Sequence, residues 1–415
     1  MTSNTEKSNA QIDFFQTLKN SSLQRFSFAT LMWGIGHQLI TLSQGYVLFE
    51  LTDSTLWLAA LGAAVGAPTV VIAILGGMLA DRIPRTRMLK IGSLIVATPM
   101  LGIALLYATD SLEPWHILIA GSAQGSGLAL DWIARLSLLP DMVPKNVLVR
   151  AISIDQAMFN GARLLAPLIG GFLLGSVGPT GAYGLISGLL GAAFLMYLTF
   201  RPHTEVNSDG HLGPIDDIKE VFGILRENSI LRLNLLFTLV NALVLGGVIF
   251  IIPAFAKEIF DTNEAGLGYL FTAIGAGAVA GAATTSWTGG IARAGVALLV
   301  TDVLTGIFVV TWALSGNMGF ALGAGFIFGY FNAVHIALGI GATQFNVPVE
   351  VRGRVIGAYE LAWAGFPLGG LASGSLAAIF GLRNSLIILA VGLMIFTAIV
   401  AVMSSQFRQL RVESD

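Results

Sequence analysis

The sequence contains no cysteine and few charged residues. Without a thiol, the chain can form no disulfide, no thiolate metal site and no cysteine nucleophile. Only 11% of the residues are charged and the formal net charge is -2, so bulk electrostatics exclude a nucleic-acid-binding protein. The sequence also lacks a Walker-type glycine loop, a histidine pair at metal-ligand spacing and a nucleophile elbow. We therefore expect no enzymatic activity, no metal and no cofactor.

Hydrophobic residues dominate the chain instead. They make up 55% of it, and the mean hydropathy is +0.78, which is typical of an all-α polytopic membrane protein. A transmembrane helix needs about 20 apolar residues, and twelve stretches reach that length. They are Phe26–Leu51, Leu56–Ala80, Met88–Ala108, Pro114–Leu139, Leu148–Val177, Thr180–Phe200, Ile230–Ala256, Ala265–Thr288, Gly295–Leu314, Met318–Val347, Arg354–Phe380 and Leu382–Met403.

Polar segments divide these spans into two sets. Residues 201–228 separate the first six spans from the last six, which predicts six-helix bundles at 26–200 and 229–404. Polar tails occupy residues 1–25 and 405–415, and the first tail lacks the short apolar core of a signal peptide, so we expect it to be retained. Most of the 22 lysines and arginines fall on the side of the two tails. This bias predicts cytoplasmic termini in an inner cell membrane.

The two sets of spans resemble each other in sequence. Pro144 and Arg150 precede one glycine-rich helix, and Pro348 and Arg354 stand 204 residues later before another. An internal repeat of this kind is typical of membrane proteins in which two related bundles enclose a pocket near the middle of the bilayer. The repeat therefore predicts two pseudo-symmetric bundles with a pocket between them.

A short basic turn joins predicted spans 2 and 3. Its motif is Gly77-x-x-x-Asp81-Arg82-x-x-Arg85-x-Arg87. This spacing resembles the signature loop of the major facilitator superfamily of transporters, with Pro84 where that family usually has glycine. The resemblance implies a twelve-helix fold, alternating access, and a conformational lock in which Asp81 lies against the start of helix 11. An anion near a helix N-terminus is stabilised by about 0.3–1 kcal/mol. The alternative is that the arginines only anchor the topology.

Two further stretches resemble one branch of that superfamily. They are Leu51-Thr52-Asp53-Ser54, after span 1, and the run from Ala134-Arg135 to Leu139-Pro140-Asp141-Met142-Val143-Pro144. The branch holds enterobactin exporters and macrolide-efflux proteins. The resemblance extends over essentially the whole membrane region and implies the export of an amphipathic small molecule.

Predicted span 5 carries small residues around a proline. The positions are Ala162, Ala166, Pro167, Gly170 and Gly171. Antiporters of the superfamily have a glycine-rich pattern here, with a Gly-Pro step followed by paired glycines, and this stretch is similar, with alanine at two glycine positions. The resemblance implies antiport. A kinked, closely packed helix explains the same residues equally well.

Four charged residues lie well inside predicted spans 4 and 5, away from the span ends. Asp131 and Arg135 are four residues apart and share a helix face, so they can pair, and Asp155 and Arg163, eight apart, also share a face. A charge at the centre of a span costs about 2.5–3.5 kcal/mol on insertion scales, so each requires an explanation. Because the branch commonly has arginine at these two positions, we interpret Arg135 and Arg163 as part of a buried relay that holds helices 4 and 5 together.

The internal repeat relates two residues of the second half, His335 and Glu360, to positions in predicted spans 4 and 5. At the 204-residue offset, His335 corresponds to Asp131 and Glu360 corresponds to Gln156, on helices that line the cavity in this superfamily. Asp131 and Glu360 differ from the usual residues of the branch, so they are the leading candidates for proton coupling or cation recognition. Burial favours a neutral carboxylate, whereas a nearby arginine favours an ionised one. We therefore expect Glu360 to carry protons and Asp131, beside Arg135, to be structural.

The remaining candidates are polar or aromatic residues within spans. His37, Gln38 and His335 are candidates for substrate binding or for titration near neutral pH, and Trp363 is a candidate for stacking on an aromatic or cationic ligand. Each also has a plainer interpretation, as a hydrogen-bonded or helix-packing residue. Asp302 in span 9 has no assigned role at this stage.

Three hypotheses follow. The preferred one is a proton-coupled antiporter that exports an amphipathic small molecule such as a siderophore, a macrolide or another drug, driven by an ion gradient and not by ATP. Its partners would be that molecule, protons and the lipid bilayer, and it would act as a monomer. The second hypothesis is an uptake symporter or facilitator for an organic solute or lysophospholipid. The third is a non-transporting receptor or assembly subunit, which the short tails and loops disfavour.

Overall fold

The computed structural model describes residues 21–143, 147–200, 223, 225–226, 228–287, 293–345, 359 and 362–410. This part of the chain is almost wholly helical. The helices are α1 (Ser21–Thr52), α2 (Thr55–Arg82), α3 (Arg85–Ala108), α4 (Pro114–Met142), α5 (Leu148–Leu198), α6 (Ser229–Glu258), α7 (Glu264–Trp287), α8 (Ala294–Leu314), α9 (Met318–Phe345), α10 (Gly365–Phe380), α11 (Leu382–Met403) and α12 (Ser405–Arg408).

Helix α5 consists of two arms that meet at Gly178. This residue has φ 66° and ψ 179°, a backbone conformation that is open essentially to glycine alone. The first arm corresponds to predicted span 5 and the second arm to span 6. The break therefore falls between the two predicted spans, where the chain has to reverse its direction.

Each of the twelve predicted spans has a helix in the corresponding part of the chain. Spans 1 to 4 correspond to α1–α4, spans 5 and 6 to the arms of α5, and spans 7 to 12 to α6–α11. Within the described residues, eight helices are long and apolar enough to cross a membrane. The predicted all-α polytopic fold is confirmed. The predicted linker at 201–228 lies mostly outside the described residues, so the bundle boundaries stay a prediction.

The eleventh predicted span contains a turn just before α10. Trp363 and Ala364 form a turn, and regular helix α10 begins only at Gly365. The cause is Pro367, which has no N–H to donate to the carbonyl four residues earlier. The N–H of Phe366 donates to the Trp363 carbonyl oxygen instead, at 2.9 Å. Trp363 therefore lies in a turn between helical Ala362 and α10, while the predicted start of the span at Arg354 lies outside the described residues.

Helices α1–α5, here called the N-half, pack in the same pattern as helices α6–α11, the C-half. α1 packs against α5 as α6 packs against α10, and α2 packs against α4 as α7 packs against α9. The pairs α3 with α4 and α8 with α9 also correspond, as do α3 with α5 and α8 with α11. The sequence repeat is therefore accompanied by a structural repeat.

The two halves meet near the face at which α1 ends and α2 begins, here called the far face. Glycines allow this close approach. A Cβ built on Gly62 of α2 would lie 2.8 Å from the backbone nitrogen of Leu371 in α10. A Cβ built on Gly171 of α5 would lie 2.7 Å from the Cα of Gly268 in α7. Any larger residue at either position would push the halves apart.

Candidate functional site

A buried charge cluster links three helices of the N-half. Arg135 of α4 lies with its Nε 3.3 Å from Oδ2 of Asp131 and its Nη1 3.7 Å from Oδ2 of Asp155 in α5. The hydroxyl of Thr30 in α1 donates a hydrogen bond to Oδ1 of Asp155 at 2.8 Å. The three charged side chains are at most 2% exposed. Asp131 and Arg135 thus pair as their spacing predicts, and Asp155 extends the cluster to α5 and α1.

The guanidinium of Arg135 also makes cation–π contacts with two aromatic rings. Its Cζ lies 4.6 Å from the ring centre of Phe159 and 5.3 Å from that of Trp132. Cation–π attraction strengthens when water is excluded, so these rings stabilise a charge that would otherwise be costly to bury. The cluster therefore binds α1, α4 and α5 together electrostatically.

A polar and aromatic surface adjoins this cluster on α1, α4 and α5. The ring of Trp33 stacks on that of His37 at 5.0 Å and lies 6.5 Å from that of Phe159, which also contacts Arg135. The Nε2 atom of Gln124 lies 3.5 Å from Nε2 of His37 and donates to the hydroxyl of Thr41 at 3.1 Å. Most of these side chains are buried, with Trp33 1%, Gln124 3% and His37 8% exposed, and they place ring faces beside polar groups and a cation.

The C-half contains a second buried polar network. Nδ1 of His335 in α9 lies 2.8 Å from Oδ1 of Asp302 in α8, and both side chains are 0% exposed. Nδ2 of Asn241 in α6 donates to the same Asp302 oxygen at 2.9 Å. Nδ2 of Asn332 donates to Oδ1 of Asn241 at 2.7 Å. Asp302, which had no assigned role from the sequence, is therefore the carboxylate partner of His335.

The sequence interpretation missed Gln124, Asn241 and Asn332. A signal for Gln124 existed, because it lies seven residues before Asp131 and so shares its helix face. The repeat gave a signal for Asn241, which stands 204 residues after His37. For Asn332 the signal was its spacing of three residues before His335.

Two polar contacts join the halves at the far face. The hydroxyl of Tyr46 in α1 donates to Oε1 of Glu264, the first residue of α7, at 2.7 Å. Nζ of Lys257 in α6 donates to Oδ1 of Asp53 at 2.6 Å, with both side chains more than half exposed. Asp53 has φ 44°, a left-handed conformation that aspartate tolerates better than most residues. These contacts hold the far face closed.

The turn of the signature loop is as short as the sequence predicts. α2 ends at Arg82, α3 begins at Arg85, and Pro84 between them has φ -51°. That value is one that proline adopts readily, so the turn has no need of glycine at this position. Arg87 is exposed and Arg85 is half-buried at the start of α3.

The small residues of the span 5 motif pack against neighbouring helices. Ala162 and Ala166 are fully buried, and a Cβ built on Gly34 of α1 would lie 2.9 Å from the Cβ of Ala162. A Cβ built on Gly170 would lie 2.8 Å from a methyl group of Leu39, also in α1. Close packing thus accounts for these positions, and Gly171 adds the contact between the halves.

Several predicted site residues cannot be placed in this geometry. Glu360 and the Arg352–Arg354 segment lie outside the described residues. The structure also does not describe the side chains of Asp81, Arg82, Arg163 and Pro167 or the surroundings of Gly77. Gln38 is half-buried in α1, and Trp363 is half-buried and packs on the apolar core. The proposed proton carrier and the acidic group of the lock therefore stay predictions.

The fold defines a class, that of polytopic helical membrane transporters built from two equivalent halves. The family model described as Major Facilitator Superfamily matches residues 26–370. The chain belongs to this superfamily, as the resemblance of its loop between α2 and α3 predicted.

Relatives of known name fall in the predicted branch. The chain is 23% identical to the multidrug efflux pump Tap of Mycolicibacterium fortuitum, over 95% of this chain and 98% of that protein. It is 25% identical to the enterobactin exporter EntS of Salmonella typhimurium, over 87% of each chain. Among solved structures, a bacterial homolog of the human lysosomal transporter Spinster, inward-facing and unoccupied, matches with TM-score 0.74 and 16% identity over 95% of this chain and 98% of that one.

Proposed function

We propose that the protein is a proton-coupled antiporter that exports an amphipathic small molecule by alternating access. The observation that carries this proposal is the pair of buried titratable clusters, one in each half, which contain Asp131 and Asp155 in the N-half and Asp302 and His335 in the C-half. Ionisable groups inside a membrane are expensive to bury and commonly belong to proton or substrate pathways. An apolar scaffold alone would not need them.

The surface around Trp33, His37 and Phe159 supports an aromatic, partly polar substrate. When alternating access opens this packed region, its ring faces would stack on flat apolar groups and Gln124 would supply hydrogen bonds. The names of the relatives, an exporter of enterobactin and a multidrug efflux pump, support the same substrate class.

The proposed orientation places both termini in the cytoplasm of a cell with an inner membrane, where the protein acts as a monomer. The far face is then the external face, and the contacts of Tyr46 with Glu264 and of Asp53 with Lys257 close it. In the alternate state, the loop from Gly77 to Arg87 would lock the cytoplasmic side, with Asp81 against helix 11. Moving one charge through 100 mV supplies about 2.3 kcal/mol, so a proton gradient can drive export.

The test compares vesicles of the two orientations. Everted vesicles containing the protein should accumulate ethidium, enterobactin or another screened compound when their interior is made acidic, and collapse of the pH gradient should release it. A susceptibility and metabolite-export screen of a deletion strain selects the compounds. Accumulation in right-side-out vesicles alone would overturn export in favour of uptake.

A further inference from the structure

Within the part of the C-half that the structure describes, the pair formed by Asp302 and His335 contacts no other charged side chain. Both side chains are 0% exposed, and α8 carries no ionisable residue other than Asp302. The described ionisable residues on the helices packed around the pair are Arg232, Lys257, Glu258, Glu264, Tyr269, Tyr330, Arg383 and Arg408. None of these eight forms an ion pair or hydrogen bond with Asp302 or His335. Among the described residues, the charge of each member is therefore balanced only by the other member.

Two asparagines fix the carboxylate of Asp302 from one side. Asn332 donates to Oδ1 of Asn241 at 2.7 Å, which orients the Asn241 amide so that its Nδ2 donates to Oδ1 of Asp302 at 2.9 Å. His335 contacts the same oxygen. Within the described residues, Oδ2 of Asp302 and both ring nitrogens of His335 are buried and form no hydrogen bond, while Nδ1 approaches Oδ1 of Asp302 at 2.8 Å as an ion-pair contact. The network thus satisfies one oxygen of the carboxylate and leaves two proton-accepting atoms unused.

We propose that Asp302 and His335 form a single proton-binding site, which deepens the export function proposed above and rests on it. When the imidazole donates from Nδ1 to an ionised Asp302 and its Nε2 carries no proton, the pair has a net charge of -1. One proton from water, taken up at Nε2, makes the pair neutral overall. The neutral pair places no net charge in the buried site, where a net charge is costly at low dielectric.

The position of the pair connects this proton to the motion of the C-half. Its members lie on α8 and α9, and Asn241 ties them to α6, so a change in the packing of these three helices changes the surroundings of the site. While the site is closed from water, it retains its proton. When water reaches Nε2 or Oδ2, the charged form is solvated and the proton can leave. Alternating access would thereby alternate proton uptake and release.

The first experiment needs no substrate. Infrared titration of the purified full-length protein in lipid nanodiscs, from about pH 4 to about pH 10, follows its imidazole and carboxyl groups. We expect His335→Asn to remove one titrating imidazole signal and Asp302→Asn to shift the midpoint of that signal by more than about one pH unit. Asp110→Asn, at an exposed loop, is the matched control and should remove only an ordinary surface carboxyl. Identical titrations of the wild type and Asp302→Asn would overturn the proposal.

A second variant guards against misfolding. Asp302→Asn with His335→Asn carries no buried charge and retains amides that can bond to Asn241, so it should fold even where a single change does not. In everted vesicles, we expect the double variant to lose at least tenfold of the acid-driven ethidium accumulation and to keep ethidium exchange at equal pH. Acid-driven accumulation at the wild-type level would overturn the proton site.

The two experiments separate this inference from the function it rests on. If wild-type vesicles accumulate no screened compound while the infrared signal behaves as expected, export fails and the proton site stands. If vesicles accumulate the compound and the double variant matches the wild type, export stands and the proton site fails.

Discussion

Arg135 lies between two carboxylates and two aromatic rings and is 1% exposed. Replacing it with alanine would leave Asp131 and Asp155 as buried charges without their cation. Removing one partner of a buried ion pair typically costs about 3–5 kcal/mol. We therefore expect Arg135→Ala to lower the thermal unfolding temperature of the detergent-solubilised protein sharply and to reduce its amount in the membrane.

Neutralising Asp131 and Asp155 should restore most of the stability that Arg135→Ala removes. The triple variant Asp131→Asn, Arg135→Ala and Asp155→Asn removes the repulsion and should regain stability without regaining transport. Arg293→Gln, at an exposed site before α8, is the control for the loss of one positive charge. A variant Arg135→Ala as stable as the wild type would show that the cluster does not stabilise the N-half.

Sequence spacing could predict only the contacts that lie within one helix. Asp131 and Arg135 are four residues apart, so their pairing follows from helical geometry. The contact of Asp155 with Arg135 and that of Asn241 with Asp302 depend on how separate helices pack. A single sequence contains no measure of that packing, and for this reason Asp302 had no predicted partner.

At the scale of helices, two polar contacts of different strength hold the far face closed. The ion pair of Asp53 and Lys257 is exposed to solvent, where such pairs are worth about 0–1 kcal/mol. The hydrogen bond from Tyr46 to Glu264 is partly buried, and a bond to a charged group is worth about 1.5–3 kcal/mol. The bond between α1 and α7 should therefore dominate.

Cysteine labelling can compare the two contacts, because the natural chain has no cysteine. Ala59→Cys places one thiol where α2 is buried against Gly374 of α10. Adding Tyr46→Phe should raise its labelling rate by an impermeant external maleimide about tenfold or more, since 1.4 kcal/mol is a factor of ten. Adding Asp53→Asn should raise it by no more than about fivefold. A larger increase in labelling rate with Asp53→Asn than with Tyr46→Phe would contradict the conclusion that the Tyr46–Glu264 bond is the stronger contact.

Helix ends could be predicted where proline or glycine marks them. Pro114 stands at the first position of α4, and Gly178 separates the arms of α5 at the predicted boundary. The turn at Trp363 and Ala364 was not predicted, because apolar length does not reveal that Pro367 disrupts the hydrogen bonding of the turn before it. The length of an apolar segment indicates that it crosses the membrane. It does not indicate whether the helix is continuous.

At the scale of the whole molecule, alternating access requires the far face to open and close in every cycle. A Cβ on Gly175 of α5 would lie 3.9 Å from the Cβ of Glu264 in α7, within the usual range of a disulfide. We expect the double variant Gly175→Cys, Glu264→Cys to cross-link on oxidation and to lose transport, and dithiothreitol to restore it. Each single variant should be unaffected by the oxidant. Full transport by a completely cross-linked protein would contradict alternating access at this face.

The ion pair at the far face also determines which halves can pair with each other through this surface. Asp53 and Lys257 are separated by the same 204 positions as the repeated prolines, so they occupy equivalent places in the two halves. If two copies of the first half met through this surface, aspartate would face aspartate, and two copies of the second half would bring lysine against lysine. Only the unlike combination attracts. Because equivalent positions of the two halves carry opposite charges, this surface favours the pairing of the first half with the second half. It disfavours the pairing of either half with a copy of itself.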